Sequence, residues 1–204
     1  MSEEKYKSPN LAIDLCLFTI CDKEEKNPKK VPEKVLKVLI LKRGKEPYKD
    51  MYSLAGCAAK SGEKTDITLK RKIKEKSGID IEKIYMEIGG VFDDPQRDLR
   101  NHVVSITYMG LCNHSDVEIG EGAEWIEVKD VIDNFKDKMA FDHYEIVCRM
   151  YENLKEKVWK ESIIFYTLPE LFTLYQLQLS YGAVAFTSNT GTDQNFRRKI
   201  GTIS

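Results

Sequence analysis

The sequence predicts an α+β protein in which a sheet domain is followed by a small all-helical domain. Apolar runs rich in β-branched residues, such as Leu11 to Ile20 and His102 to Cys112, are typical of buried strands. In the last third of the 204-residue chain, apolar residues instead recur at helical spacing. We therefore expect a mobile arm at residues 1–10, a first domain at 11–138 and a second domain at 139–204.

Composition and charge narrow the classes of protein to consider. The net charge of −1 provides no overall attraction to nucleic acid or to a membrane surface. The five cysteines are an odd number without a C-x-x-C pair, which indicates free thiols in a reducing compartment. No apolar run approaches the roughly 18 residues of a membrane helix, and the polar N-terminus does not resemble a signal peptide. We expect a cytoplasmic protein with no membrane partner.

The remaining elements of the first domain follow in order. Val35 to Leu41 is predicted to be the second strand, and the charged connection before it contains two prolines, as a solvated hairpin connection does. Ile84 to Phe92 and Ala123 to Val128 are predicted to be further strands. Lys129 to Phe135 follows as a short helix.

The segment from Leu54 to Ile79, LAGCAAKSGEKTDITLKRKIKEKSGI, contains a short amphipathic helix closed by Gly78. Its spacing resembles the Nudix box, G-x5-E-x7-R-E-U-x-E-E-x-G-U, in which U is a bulky aliphatic residue. The box glycine, first glutamate, arginine and three helical acids fall without a gap at Cys57, Glu63, Arg71, Lys72, Glu75 and Lys76. The resemblance implies a Nudix-like α/β/α sandwich with a mixed sheet.

Two of the three acid positions are lysine in this chain. In an active Nudix enzyme, acids at i, i+3 and i+4 share one helical face and bind the magnesium ions that polarise a diphosphate. Here that face carries Lys72, Glu75 and Lys76, so its formal charge is +1 where the family pattern carries −3. We expect no catalytic residues and no cofactor, with Glu75 as the only retained metal candidate. Glu63 and Arg71 are expected to pair and to hold the loop against the helix.

A polar loop, Asp93 to Asn101, separates the third and fourth strands. By itself such a loop is a simple hairpin tip. Its D-P-x-R-D-x-R pattern and the following V-V-S-I-T-Y nevertheless resemble a subgroup related to ADP-ribose pyrophosphatases. That resemblance implies an ADP-ribose-like ligand whose phosphates are bound by arginine, because guanidinium groups pair bidentately with phosphate oxygens. The ligand-binding candidates are Arg43, Arg97 and Arg100, with Tyr52 or Phe92 near the base.

The second domain is predicted to consist of three helices. Phe141 to Glu161 has the apolar periodicity of a long amphipathic helix. Thr173 and Gln176 form a capping-box pattern for a helix that runs to about Phe186. After a turn, Asp193 to Ile200 is the last helix, and the final two helices together fit a helix-turn-helix.

This C-terminal pattern, F-T-L-x-x-L-Q-x-x-Y followed by D-x-x-N-F-R-R-K-I, resembles the winged-helix domain of the Nudix-related transcriptional regulators of NAD metabolism. The resemblance implies a homodimer that binds a double-stranded DNA operator and senses a nucleotide with a decayed Nudix box. The DNA-binding candidates are Asn195, Arg197, Arg198 and Lys199, although a charged helix end favoured by the macrodipole is an alternative explanation. The family continues into a β-hairpin wing, which we expect to be absent or truncated here.

Three functions therefore compete. The leading hypothesis is a nucleotide-sensing, DNA-binding regulator that needs no metal. The first alternative is an active Nudix hydrolase of ADP-ribose or a related nucleoside diphosphate, which would require magnesium. The second is a ligand-binding or dimerisation protein without a DNA function. Lys72 and Lys76 distinguish the first two functions, because lysine at these positions opposes the magnesium binding that a hydrolase would require.

Overall fold

A computed structural model describes residues 8–23, 32–77, 84–187, 196–198 and 201, except for the side chains of residues 76 and 77. Within this part of the chain, the strands are β1 Asn10–Asp22, β2 Lys34–Lys42, β3 Tyr52–Ser53, β4 Ala55–Ala58, β5 Tyr85–Phe92, β6 Val103–Asn113 and β7 Ala123–Glu127. The α-helices are α1 Thr65–Ser77, α2 Val128–Asn134, α3 His143–Lys157 and α4 Leu174–Val184. Short 3-10 helices lie at His114–Asp116 and Ser162–Thr167.

The strands form one mixed sheet with β1 near its centre. Its main path is β3-β2-β1-β6-β5, while β4 pairs with β1 and β7 pairs with β2. Strand β1 is antiparallel to β2 and parallel to β6, with Phe18 opposite Val38 and Ile13 opposite Ile106. Because β1 has neighbours on both edges and cover on both faces, residues 13–20 are all buried, which explains their almost continuous apolar sequence.

Helices cover both faces of this sheet. Alternate β1 side chains enter two apolar clusters: Cys16 and Phe18 enter one, while Leu15 and Leu17 enter the other. Helix α1 packs on the second cluster, as expected from its buried Ile73. Helices α2, α3 and α4 contribute to the first cluster. The layers are therefore helix, mixed sheet and helices, in agreement with the predicted α/β/α sandwich.

Helix α3 belongs to the packing of the sheet. Its residues Ile146, Val147 and Met150 are fully buried in the cluster that also contains Phe18 and Val38. The helix is shorter than the predicted Phe141 to Glu161. The division of the chain into domains at residue 139 stays a prediction.

Helix α4 begins as the sequence predicts. The Thr173 side chain accepts a hydrogen bond from the Gln176 backbone N–H, and the Gln176 side chain accepts one from the Thr173 backbone, so the capping box is confirmed. The helix ends at Val184, two residues before the predicted Phe186, which adopts a positive φ of 52°. For the predicted helix from Asp193 to Ile200, only residues 196–198 lie in the described part of the chain, and these are helical.

Candidate functional site

A cavity of about 560 Å³ opens between the sheet, α1 and the start of α3. Its walls come from the first half of β1, from β4, from the loop before β6 and from the residues preceding α3. All three arginines predicted to bind phosphate, Arg43, Arg97 and Arg100, line this cavity, together with Lys72 of the Nudix-like helix. Residues far apart in sequence are thus brought into one cationic pocket.

Arg97 lies in the floor of the pocket and is almost completely buried. Its Nε and Nη2 atoms donate to the two Asp142 carboxylate oxygens at 2.8 and 2.7 Å, and Nη2 lies 3.6 Å from Asp14 Oδ2. Asp142 immediately precedes α3, so this bidentate pair ties the loop before β6 to the start of that helix. A phosphate would have to compete with Asp142 for the Arg97 guanidinium. Its predicted role as a phosphate clamp stays a prediction.

The same floor contains a hydrogen-bonded network around buried Asp14. Ser105 Oγ donates to Asp14 Oδ2 at 2.5 Å, and His143 Nε2 lies 3.8 Å from Asp14 Oδ1. The Leu54 backbone N–H donates to His143 Nδ1 at 2.9 Å, so a neutral His143 carries its proton on Nε2, facing Asp14. Burial lowers the pKa of His143, which keeps it neutral near pH 7. A Cβ atom at Gly56 would collide with Asp14 Oδ1, so any larger residue there would require the Asp14 side chain to shift.

The rim of the pocket is cationic and exposed to solvent. Arg100 donates through Nε and Nη2 to the two Asp98 carboxylate oxygens at 2.9 and 2.6 Å, and its side chain is 54% exposed. The Arg43 and Arg100 guanidinium carbons lie 4.8 and 5.6 Å from the centroid of the Phe141 ring. Both cations are therefore held beside one aromatic ring at the mouth of the pocket.

Phe141 is the aromatic residue of this pocket, and sequence reasoning missed it. It has a positive φ of 58°, and its ring packs edge-on against Tyr48 with centroids 4.9 Å apart. Tyr52 instead packs against Phe135, and Phe92 lies beside Arg149 of α3, so neither predicted aromatic residue lines the pocket. The only sequence signal for Phe141 was its place as the first residue of the helix predicted from Phe141 to Glu161.

Glu63 and Arg71 pair as expected. Arg71 Nη2 donates to Glu63 Oε2 at 2.8 Å, and Thr68 Oγ1 donates to the same oxygen at 2.7 Å. These two bonds lower the pKa of the Glu63 carboxyl to about 2. The loop that carries Glu63 is thereby fixed to α1.

Glu75, the one retained acid of the helical face, is engaged by cations. Its Oε2 accepts from Lys72 Nζ at 2.6 Å and its Oε1 accepts from Arg71 Nη1 at 3.2 Å, and these bonds lower its pKa. The side chain of Lys76 lies outside the described part of the structure. Among the described residues, no cluster of three histidine, cysteine or acidic side chains is arranged to hold a metal ion. Among the described side chains of this helix, the Glu75 carboxylate oxygens are taken up by Lys72 and Arg71, an arrangement that does not fit magnesium, which needs oxygen ligands.

At the C-terminus, two of the four predicted DNA-binding residues are described. Arg197 and Arg198 are exposed and follow Phe196, which is buried and packs edge-on against Tyr181 with centroids 5.5 Å apart. Asn195 and Lys199 lie outside the described residues. Of the helices in the described ranges, none is long and apolar enough to cross a membrane.

No family model matches this chain, but two curated proteins do. One, named ADPR responsive transcriptional repressor NtrR from Acinetobacter baylyi, is 26% identical over 182 residues, which cover 86% of this chain. The other, named ADP-ribose pyrophosphatase from Methanocaldococcus jannaschii, is 35% identical over 115 residues, which cover 56% of this chain. Each alignment spans 66% of the relative's own length.

Solved structures extend the comparison to nearly the whole chain. The crystal structure of Shewanella oneidensis NrtR is 25% identical, with a TM-score of 0.77 over 94% of this chain and 84% of that chain. The same protein complexed with a 27mer DNA matches with a TM-score of 0.76 over 94% of this chain and 82% of that chain. These matches confirm the predicted Nudix fold and the predicted relationship to Nudix-related regulators.

Proposed function

We propose that this Nudix-related chain is a DNA-binding regulator that responds to an ADP-ribose-like nucleotide and does not hydrolyse it. One observation carries the proposal: the pocket has a cationic rim, while Glu75, the retained acid beside it, is held by Lys72 and Arg71. The printed names of the similar proteins, an ADPR responsive repressor and a protein complexed with DNA, support it. We also propose a cytoplasmic location, which fits that role.

In this proposal the nucleotide lies with its diphosphate on the rim and its base near Phe141. Arg43, Arg100 and Lys72 provide positive charge, and a guanidinium binds phosphate oxygens in a bidentate manner. Phe141 takes the place that sequence reasoning gave to Tyr52 or Phe92. The cavity of about 560 Å³ falls within the usual range of ligand pockets, about 300 to 1,000 Å³.

Helix α3 connects this pocket physically to α4. Phe141 and His143 lie at its start and line the cavity. Farther along, the Tyr151 hydroxyl donates to the Val184 carbonyl at 2.9 Å, and beyond its end Trp159 stacks on Tyr181 with centroids 4.3 Å apart. A nucleotide that moves the start of α3 therefore moves a helix packed against the C-terminal segment. We propose that this contact carries the response from the pocket to the DNA-binding helices.

For DNA, we propose that a homodimer presents two copies of the helix containing Arg197 and Arg198 to a palindromic operator. One short helix reads only a few base pairs, so two copies about 34 Å apart are needed. Asn195 and Lys199 complete the proposed contact surface. Each phosphate contact that is lost lowers the slope of log affinity against log salt by about one.

A Nudix hydrolase is the second candidate function, and the 35% identity to a protein named ADP-ribose pyrophosphatase favours it. That activity would require magnesium on the α1 face. The ion pairs of Glu75 with Lys72 and Arg71 oppose this, because a metal would have to displace both cations. We therefore propose that no metal cofactor is used.

The regulator can be tested with duplexes selected from a random pool by the full chain. We expect an enriched duplex whose affinity, measured by fluorescence anisotropy, changes when ADP-ribose is added. Arg197→Ala with Arg198→Ala should weaken binding and reduce its salt dependence, whereas the exposed control Lys160→Ala should not. A pool that gives no enriched duplex, or a duplex whose affinity does not change when ADP-ribose is added, would contradict the proposal.

A further inference from the structure

A chain of ion pairs runs along α1 at the edge of the pocket. Glu63 Oε2 lies 2.8 Å from Arg71 Nη2, Arg71 Nη1 lies 3.2 Å from Glu75 Oε1, and Glu75 Oε2 lies 2.6 Å from Lys72 Nζ. Lys72 is the last member of this chain and the one that lines the cavity. Its ammonium group is therefore held beside the pocket by Glu75, which is itself held by Arg71.

We infer that Lys72 takes the place of the metal ion: its ammonium binds the diphosphate oxygens of the nucleotide directly, so that binding does not require a divalent cation. This inference rests on the proposed function, because it concerns the same pocket. The chemistry is suitable, since an ammonium group is a compact point charge with three rotatable donors and is a common phosphate ligand. A lysine at this position also repels the cation that a carboxylate there would attract.

Within this arrangement Glu75 is a positioning residue. An isolated lysine side chain loses conformational entropy when it binds a phosphate, and an ion pair that already orders the side chain reduces this loss. Lys72 pairs with Glu75 at i, i+3, and Arg71 fixes Glu75 from the other side. The acid that would bind magnesium in an enzyme here orients the cation that replaces it.

Lys74 provides a matched control on the same helix. A lysine on a helix is usually part of a solvated face, and Lys74 is such a residue, because it is exposed and does not line the cavity. Replacing either lysine changes the net charge of α1 equally. A difference between the two variants therefore reports on position in the pocket and not on overall charge.

The test is a calorimetric titration of the full chain with ADP-ribose, carried out once with EDTA and once with magnesium. We expect equal affinity under both conditions for the unmodified chain. Lys72→Ala should weaken binding roughly tenfold, as the loss of a charge-assisted hydrogen bond does, while Lys74→Ala should have no effect. In Lys72→Glu, binding should be weaker still with EDTA and should recover partly with magnesium. The thermal midpoint of each variant, measured in parallel, should stay close to that of the unmodified chain, because the Lys72–Glu75 pair is half exposed and such pairs contribute little to stability.

The outcomes separate this inference from the proposed function. ADP-ribose binding that requires magnesium, or that weakens equally in the Lys72 and Lys74 variants, would overturn the inference and leave a nucleotide-binding protein. The absence of ADP-ribose binding under both conditions would contradict the proposed function, and the inference with it.

Discussion

The floor and the rim of the pocket use the same residue types in opposite ways. In the floor, Arg97 is 8% exposed and its charge is shared with Asp142 and Asp14, all within a hydrogen-bonded network. On the rim, the Arg100 side chain is 54% exposed and bonds to Asp98, a residue two positions away. The Arg97 guanidinium is buried with its bonds to Asp142 and Asp14, whereas the Arg100 guanidinium is half exposed at the mouth of the pocket, where solvent can reach it. The resemblance to ADP-ribose pyrophosphatases implied a phosphate-binding role for both arginines.

The largest expected effect is on stability and comes from the floor. Arg97→Ala leaves the Asp142 and Asp14 carboxylates without their main cation in a buried site. Removing one partner of a buried ion pair costs about 3 to 5 kcal/mol. Denaturant unfolding should show a loss of this size for Arg97→Ala and a smaller loss for Arg100→Ala, because the Arg100 side chain is itself half exposed although its partner Asp98 is buried. Equal losses in the two variants would mean that the floor and the rim do not differ.

The next effect is on binding and comes from the rim. Arg43→Ala and Arg100→Ala should each remove a proposed charge-assisted contact to the diphosphate, which is worth about 1.5 to 3 kcal/mol, or roughly tenfold or more in affinity. The exposed Lys42, which does not line the cavity, provides the control Lys42→Ala. Titration with ADP-ribose measures the affinity of all three variants. Unchanged affinity in both arginine variants would mean that the ligand binds elsewhere.

A third effect tests how tightly the floor is packed. Gly56→Ala places a Cβ atom in collision with Asp14 Oδ1, so the Asp14 network has to shift. We expect a loss of about 1 to 3 kcal/mol in the free energy of unfolding, as for other overpacked sites. Gly44→Ala is the control, because its Cβ atom would have no neighbour within 4 Å. A fully stable Gly56→Ala protein would contradict the close contact with Asp14.

The smallest effect is the dependence of stability on pH. Burial lowers the pKa of His143 below the value of about 6.5 in an unfolded chain, so the unfolded chain takes up a proton first as the pH falls. The contribution of His143 to stability is thus fully present above about pH 6.5 and decreases below it. The free energy of unfolding should differ less between pH 7.5 and pH 5.5 in His143→Gln than in the exposed control His102→Gln. An equal change in the free energy of unfolding in both variants would exclude His143 as the cause of the pH dependence.

Local patterns predicted the framework of the fold. The apolar runs of β1, β2 and β6 were visible because these strands are long and buried, and the Thr173 capping box was visible because it is local. Strands β3 and β4 have only two and four residues and exist through pairing with β2 and β1, so no local pattern predicts them.

The site was predicted less completely than the fold. The fixed spacing of the Nudix-like box predicted the bond between Glu63 and Arg71. The partners of Arg97, by contrast, lie 45 and 83 residues away in sequence, at Asp142 and Asp14, so its burial could not be anticipated. The position of Phe141 depends on a positive φ and on the packing of α3 against the sheet, which are tertiary properties. The pairing of Glu75 with Lys72 could be anticipated, because the alignment to the Nudix box places both residues on one helical face.

The central claim, that this pocket binds a diphosphate nucleotide without cleaving it, has a direct test. The full chain is titrated with ADP-ribose in the presence of magnesium by calorimetry, and the recovered nucleotide is then analysed by chromatography. We predict a saturable binding heat and intact ADP-ribose after prolonged incubation, because Glu75 is held by Lys72 and Arg71. Turnover to AMP and ribose 5-phosphate that is abolished by Glu75→Gln would contradict the account.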